Sequence, residues 1–281
     1  MVASPAAVVR ASRRWAQSYP LAPRYRPPAL PLRLLSADRT RLSAVWVPGP
    51  AGAIATVVVV HGFTNWSRSR EVRAAVGQLS TWAHVVALDL RGHGRSAGRS
   101  TFGVAEPDDV AAAVAAGRAL APALPVVTLG ISLGGASSLF AAGGGSPVAG
   151  VVAVSAPAWR DLTSPAGVRL ARWTRTRRGR VLILALSGTR VDPEAGEPGD
   201  LRRAVAAISP AFVVIAHDPQ EAVFGPEHAE ALFAWAGEPK ALWWVPGGGH
   251  GRSMLTPELL ERVRVDVSER LGPEPAPTPG G

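Results

Sequence analysis

The sequence predicts an α/β domain in which a mostly parallel sheet of about eight strands is flanked by helices. Short runs rich in Val, Ile and Leu alternate with longer Ala-, Leu- and Arg-rich segments. Several of these runs are apolar throughout, which is typical of strands that are buried on both faces. The chain has 281 residues and 47% hydrophobic content, which is enough for one large domain of this class.

The elements can be assigned in chain order. Residues 32–49 predict an antiparallel hairpin at one edge of the sheet, because a turn at Ala37 and Asp38 separates two apolar runs. The remaining strands are expected within 56–62, 84–90, 125–131, 148–156, 211–218 and 241–247. Helices are expected near 69–80, 107–121, 133–143, 226–236 and 257–270. Strands that are joined by helices favour a mostly parallel sheet.

The ends of the chain and one internal stretch depart from this alternation. Residues 1–30 predict a loosely attached arm with one short helix near 6–18, and the folded domain is expected over 31–271. Residues 157–209 have no clear helix-strand repeat, so we interpret them as a small cap over the strand ends. Residues 272–281 are rich in Pro and Gly and predict a disordered tail.

Composition limits the classes of partner and cofactor. The chain has no cysteine, which excludes disulfides, thiolate metal sites and a cysteine nucleophile. The net charge is +9, but Arg outnumbers Lys 29 to 1, which is the pattern that a GC-rich coding bias toward Arg codons produces. No nucleic-acid-binding motif accompanies the charge. We therefore expect a small-molecule substrate, no nucleic acid, no metal and no cofactor. The oligomeric state stays open.

The N-terminal sequence has an apolar stretch of only five residues before Arg10, which is too short for the core of a secretory signal. No apolar run of 18 residues follows it. We therefore expect a soluble, cytoplasmic protein without stable membrane insertion.

The strongest chemical motif is Gly130-Ile131-Ser132-Leu133-Gly134, between a predicted strand and a predicted helix. A serine in such a tight turn is held in a strained conformation that lifts its hydroxyl above the sheet, and the flanking glycines let neighbouring backbone approach. The Leu133 N–H would face the reacting carbon. The motif therefore predicts Ser132 as a nucleophile.

A serine hydroxyl needs a base, and the base needs an orienting carboxylate. Of the six histidines, His250 alone follows the last predicted strand in a glycine-rich loop, so it is the expected base. His61 and His93 lie in tight glycine turns, where packing or local hydrogen bonds are expected. The carboxylate should follow the strand that ends near His217, where Asp218 and Glu221 both qualify.

The chain resembles the α/β-hydrolase superfamily, in its small-cap esterase, lipase and serine-peptidase-like branch, from Leu32 to Leu271. The matching pieces appear in order: His61-Gly62-Phe63, the stretch DLRGHGRS at 89–96, the serine turn, and Gly249-His250. The resemblance implies a carboxylesterase-like or lipase-like enzyme with a catalytic triad and an oxyanion hole. We assign the stretch DLRGHGRS a structural role.

The resemblance also implies the remaining site residues. The family places its acid four residues after a strand-end histidine, a position that Glu221 occupies here, with Asp218 and Asp161 as alternatives. The backbone N–H groups of Phe63 and Leu133 would form the oxyanion hole. We therefore expect hydrolysis of a carboxylic ester of a small apolar acyl group through an acyl-enzyme, with a thioester or an amide left open as the bond type; the alternative is a non-catalytic small-molecule-binding homologue with an impaired triad.

Overall fold

The computed structural model describes residue 25 and residues 29–159 and 165–272. Most of the predicted arm, including the helix expected near 6–18, and nearly all of the predicted tail lie outside these residues. The domain boundaries therefore stay a prediction.

The described residues form one sheet of eight strands in the order β1-β2-β4-β3-β5-β6-β7-β8. The pairings of β2 with β1 and with β4 are antiparallel, and all other pairings are parallel. The predicted edge hairpin and mostly parallel sheet are thus confirmed. The strands are β1 (Leu30–Leu35), β2 (Arg41–Val47), β3 (Thr56–Val60), β4 (His84–Asp89), β5 (Val126–Ile131), β6 (Gly150–Val154), β7 (Phe212–His217) and β8 (Lys240–Trp244).

Eight α-helices lie in the described part of the chain, and the five that the sequence predicted are confirmed to within one residue at each end. None of the helices described is long and apolar enough to cross a bilayer. The helices are α1 (Arg70–Leu79), α2 (Glu106–Leu120), α3 (Leu133–Gly143), α4 (Pro165–Arg175), α5 (Arg177–Ser187), α6 (Leu201–Ala206), α7 (Pro226–Trp235) and α8 (Pro257–Leu271).

Strand β3 explains why the central strands are apolar without alternation. All of its residues are buried. Val57 and Val59 pack in the same cluster as residues of α1 and α8, whereas Val58 and Val60 pack with residues of α2 on the other face. Because side chains alternate between the faces of a strand, helices on both faces favour apolar side chains at all four valine positions of β3.

Three helices lie in the described part of the segment predicted as a cap. Helices α4 and α5 pack against each other, and Ile183, Leu186 and Val191 form a small apolar cluster against which Phe63 and Phe102 pack. Helix α6 packs instead on α3 and α7 of the main layer. The helices α4 and α5 therefore form the part of this segment that lies beside the loop carrying Phe63.

Candidate active site

Ser132 occupies a strained turn between β5 and α3. Its backbone has φ 52° and ψ −116°, a region that costs a non-glycine residue about 1–3 kcal/mol. A Cβ at Gly130 would lie 2.4 Å from the Gly134 carbonyl oxygen, and one at Gly134 would lie 2.3 Å from the Val60 carbonyl oxygen. The spacing of the two glycines is thus a packing requirement, and the strained turn predicted from sequence is present.

Two backbone segments converge on Ser132 as oxyanion stabilisation requires. Leu133 is the first residue of α3, so its N–H has no acceptor within the helix. A Cβ at Gly62 would lie 3.2 Å from the Ser132 Cβ atom, so the loop that carries Phe63 passes against the serine. The structure therefore brings both predicted donor segments to the same turn.

His250 is paired with Glu221. The His250 Nδ1 atom lies 3.0 Å from Glu221 Oε1. The Glu221 side chain is fully buried, whereas the imidazole of His250 is 28% exposed. The Phe224 N–H donates to the same Oε1 oxygen at 2.8 Å, and the Phe224 ring meets the imidazole edge-on at a centroid distance of 5.2 Å. The carboxylate is therefore held by backbone and aimed at His250.

The loop that carries His250 is fixed on both sides of the histidine. Before it, the Gly249 N–H donates to Asp218 Oδ2 at 2.7 Å; after it, the Gly251 N–H donates to Ser155 Oγ at 3.2 Å. A Cβ at Gly251 would lie 3.7 Å from a side-chain carbon of Ile131. The loop thus lies against the residue that precedes Ser132.

Sequence reasoning missed the role of Ser155. This residue follows β6 with φ 49°, so it is strained in the same sense as Ser132. Its N–H donates to the Ala216 carbonyl oxygen, and its hydroxyl meets the histidine loop. The available signal was its position after a buried strand, at the same sheet edge as the serine turn.

The alternative acids have different surroundings. Asp218 accepts backbone N–H groups from Gln220 and Gly249 rather than an imidazole N–H. Burial would raise the pKa of Asp218, but backbone N–H groups, including that of Gly247, outweigh it and lower the pKa. Asp161 lies outside the described residues. Of the described candidates, Glu221 is the one that contacts His250.

His61 and His93 support the loop beside Ser132. The His93 Nδ1–H donates to the Arg91 carbonyl oxygen at 2.9 Å, and its Nε2 accepts the Thr64 N–H at 3.3 Å. His61 accepts the Leu90 N–H at 3.0 Å. Burial, and secondarily the neighbouring His61, lowers the pKa of His93 to about 3. Both rings therefore act as neutral connectors, as expected from sequence.

We expect His93 to make the fold sensitive to acid. The unfolded chain binds a proton at this histidine below about pH 6.5, but the folded protein binds it only near pH 3. The free energy of unfolding should therefore fall by up to about 1.4 kcal/mol per pH unit in this window because of this one group. Urea unfolding of wild type and His93→Asn between pH 5.5 and 4 measures the difference in slope. Parallel curves would contradict a neutral buried His93.

The stretch DLRGHGRS forms a hydrogen-bonded turn. Asp89 accepts the N–H groups of Ser67 and Arg95 at 2.7 and 3.0 Å. Arg91 forms a buried ion pair with Asp109 at 2.7 Å. Gly94 has φ 49°, and a Cβ there would lie 2.4 Å from an Asp89 carboxylate oxygen. These hydrogen bonds and this ion pair hold the turn together, which agrees with the structural role predicted from the sequence.

A cleft of about 440 Å³ opens beside the serine turn. Leu133 lies in its wall, so the cleft reaches the residue that follows the nucleophile candidate. Its walls are mainly aromatic and aliphatic, and its charged side chains are Glu197, Asp200 and Arg202. Within the described ranges no group of three or more His, Asp or Glu residues could hold a metal ion. The apolar wall includes Phe102, Leu133, Ala136, Phe140, Trp159 and Trp235.

Two comparisons place this chain among known sequences. Residues 51–195 match the family model described as serine aminopeptidase, S33. The protein YfhR of Escherichia coli K12 is 29% identical over 223 residues, which cover 76% of this chain and 70% of that protein.

Solved structures agree with the fold. The esterase Pf2001 of Pyrococcus furiosus has a TM-score of 0.67 at 21% identity, covering 87% of this chain and 93% of that one. The esterase RhEst1 of Rhodococcus sp. ECU1013 has a TM-score of 0.63 at 20% identity, covering 85% and 98%. At these identities the structures support the α/β-hydrolase fold, and the family model spans just over half of the 281 residues. The chain therefore belongs to the serine aminopeptidase S33 family of the α/β-hydrolase superfamily.

Proposed function

We propose that this hydrolase cleaves a carboxylic ester of a small apolar acyl group through an acyl-enzyme on Ser132. The observation that carries the proposal is the 3.0 Å contact between His250 and the buried Glu221, on a loop that lies against the strained serine turn. The pairing favours an enzyme over the alternative of a binding homologue with an impaired triad, since Glu221 reaches the imidazole despite its extra methylene.

The first half-reaction forms the acyl-enzyme. Glu221 accepts the Nδ1–H of His250, which leaves Nε2 as the basic nitrogen. Nε2 takes the hydroxyl proton of Ser132 as Oγ attacks the carbonyl carbon, and the carbonyl oxygen becomes an oxyanion that the Phe63 and Leu133 N–H groups stabilise. The intermediate then collapses, the bond to the alcohol oxygen breaks, and the imidazolium returns its proton to the leaving alcohol.

The second half-reaction uses water. His250 takes a proton from water as the water oxygen attacks the acyl carbonyl carbon, and the same N–H groups hold the new oxyanion. Collapse breaks the bond to Ser132 Oγ, which recovers a proton from the imidazolium, and the carboxylic acid is released. This sequence needs no metal or cofactor, and the buried Glu221 carboxylate stabilises the transient imidazolium in both halves.

The cleft supports an apolar substrate. Pockets of 300–1,000 Å³ with apolar walls and few polar groups are typical of small-molecule sites, and this cleft of about 440 Å³ has that character. Two structural neighbours are esterases, which favours an ester, whereas the matching family is that of serine aminopeptidases, which favours an amide. The shared acyl-transfer chemistry accommodates both, so the bond type must be tested.

A substrate panel tests the proposal. We would measure kcat/KM for p-nitrophenyl esters from acetate to dodecanoate, for matched acyl thioesters, and for aminoacyl p-nitroanilides. We expect ester turnover with the highest values at short to medium acyl length. Preferential cleavage of the anilides would identify an aminopeptidase instead of an esterase. If the folded protein turned over none of the three substrate classes, the proposal would be wrong.

The cleft wall should set the preferred acyl length. Phe140→Ala removes a ring from the wall, so we expect the optimum to move toward longer acyl chains. The matched control is Phe233→Ala, because this ring lies on α7 against Lys240 and is not part of the cleft. An unchanged profile in Phe140→Ala, or an equal shift in both variants, would mean that the acyl group binds elsewhere.

A further inference from the structure

The helix pair α4–α5 has an unusual surface, which we call the basic cap surface. The stretch 165–187 contains six arginines and no acidic residue. Five of these arginines are exposed, and none forms an ion pair with a described residue. The surface therefore carries a concentrated positive charge that its own elements do not neutralise. Its members are the exposed Arg169, Arg172, Arg175, Arg177 and Arg178 and the exposed aliphatic residues Val168, Val181 and Leu184.

Aliphatic side chains are exposed within this charged surface. On α5, Val181 is 59% exposed and Leu184 is 49% exposed, one helical turn apart. The opposite side of the helix is apolar as well, but there Ile183 and Leu186 are buried in the small cluster with Val191. The side of α5 with Ile183 and Leu186 is therefore buried by packing. The side with Val181 and Leu184 faces outward beside the exposed arginines at the start of the helix.

We propose that the basic cap surface docks this protein peripherally onto an anionic lipid membrane. Arginines attract lipid headgroups, while aliphatic side chains at the same level enter the boundary between headgroups and acyl chains. This docking is superficial and requires no membrane-spanning segment. It does not depend on the serine mechanism.

Other occupants fit the surface less well. Surfaces that bind nucleic acid usually carry aromatic side chains between the basic residues, on which bases stack. The exposed apolar residues of the basic cap surface are aliphatic instead. A second copy of the chain carries the same net charge of +9 and would be repelled. The N-terminal residues 1–24 contain arginines but no acidic residue, so they cannot neutralise the surface.

Docking would bring the cleft close to the lipid. The small cluster under α5 packs against Phe63 and Phe102, and Phe102 also lines the cleft. Helix α5 and the small cluster beneath it therefore connect the exposed aliphatic residues to the cleft wall. If the proposed ester hydrolysis holds, this arrangement favours apolar substrates that partition into the membrane.

Vesicle co-sedimentation of the full chain tests the docking. We would compare phosphatidylcholine vesicles with vesicles containing 30% phosphatidylglycerol, for wild type and for Arg177→Glu/Arg178→Glu. An arginine near an anionic surface contributes about five-fold in affinity, so the double reversal should weaken binding by about 30-fold or more. The matched control Arg33→Glu/Arg118→Glu makes the same charge change at exposed positions outside the cap.

Two further variants and three contrary outcomes decide the inference. Val181→Ser/Leu184→Ser should weaken binding while its salt dependence remains, and Ser132→Ala should bind as wild type does, which separates docking from catalysis. Equal binding to neutral and anionic vesicles, or equal losses in the charge-reversal variant and its control, would overturn the proposal. Displacement of bound protein from anionic vesicles by RNA at equal phosphate concentration would point instead to a nucleic-acid surface and would also overturn it.

Discussion

The Ser132→Ala variant is expected to lose about 10⁴- to 10⁶-fold in kcat for the best ester of the panel. The change removes the oxygen that forms the acyl-enzyme in the proposed mechanism, and the neighbours in the turn, Ile131 and Leu133, carry no hydroxyl that could replace it. Steady-state turnover of wild type and variant, prepared in parallel and checked by thermal unfolding, measures this loss.

A glycine variant separates chemistry from strain. Ser132→Gly should be as inactive as Ser132→Ala, but glycine tolerates φ 52° without a Cβ clash. Relief of the strained conformation should therefore raise the free energy of unfolding by about 1 kcal/mol or more relative to Ser132→Ala. Residual activity within ten-fold of wild type in either variant would show that Ser132 is not the nucleophile.

The Glu221→Gln variant is expected to lose about 10⁴-fold in kcat, with a much smaller change in KM. Glutamine keeps the size of the side chain and can still accept the Phe224 N–H, but it is neutral. It would neither stabilise the imidazolium of His250 nor reliably hold its Nδ1–H. Because Glu221 does not contact the reacting carbonyl in the proposed mechanism, the loss should appear in the chemical step, measured as single-turnover acylation.

Asp218→Asn is the control for this experiment. Asp218 accepts the N–H groups of Gln220 and Gly249, so its amide variant should loosen the histidine loop and cost on the order of ten-fold at most. If Asp218→Asn were the more damaging of the two substitutions, Asp218 would become the acid of the triad and the 3.0 Å contact of Glu221 would be incidental.

The sheet and the serine turn could be predicted because their physical causes are local. Strand β3 has valine at its last four positions because helices cover both of its faces, and that pattern is visible in the sequence. Gly130 and Gly134 mark the turn because backbone atoms of other segments occupy the space of their Cβ atoms. Both signals lie within a few residues of the feature that they predict.

The carboxylate partner of His250 and the helices of the predicted cap depend on contacts between distant segments. Asp218 and Glu221 follow the same strand, and their spacing does not reveal which carboxylate reaches an imidazole about 30 residues later. Ser155 meets the histidine loop across 96 positions of sequence. Helix α5 carries apolar residues on both its buried and its exposed side, which obscures the period that would identify an amphipathic helix.

Intact-mass analysis after reaction with a fluorophosphonate, which phosphonylates an activated serine, tests the assignment of the nucleophile directly. We expect one adduct per chain, mapped to Ser132, lost in Ser132→Ala and strongly slowed in Glu221→Gln. An adduct on another residue, or no adduct on a folded wild-type chain, would contradict the assignment of Ser132, His250 and Glu221 as the catalytic machinery.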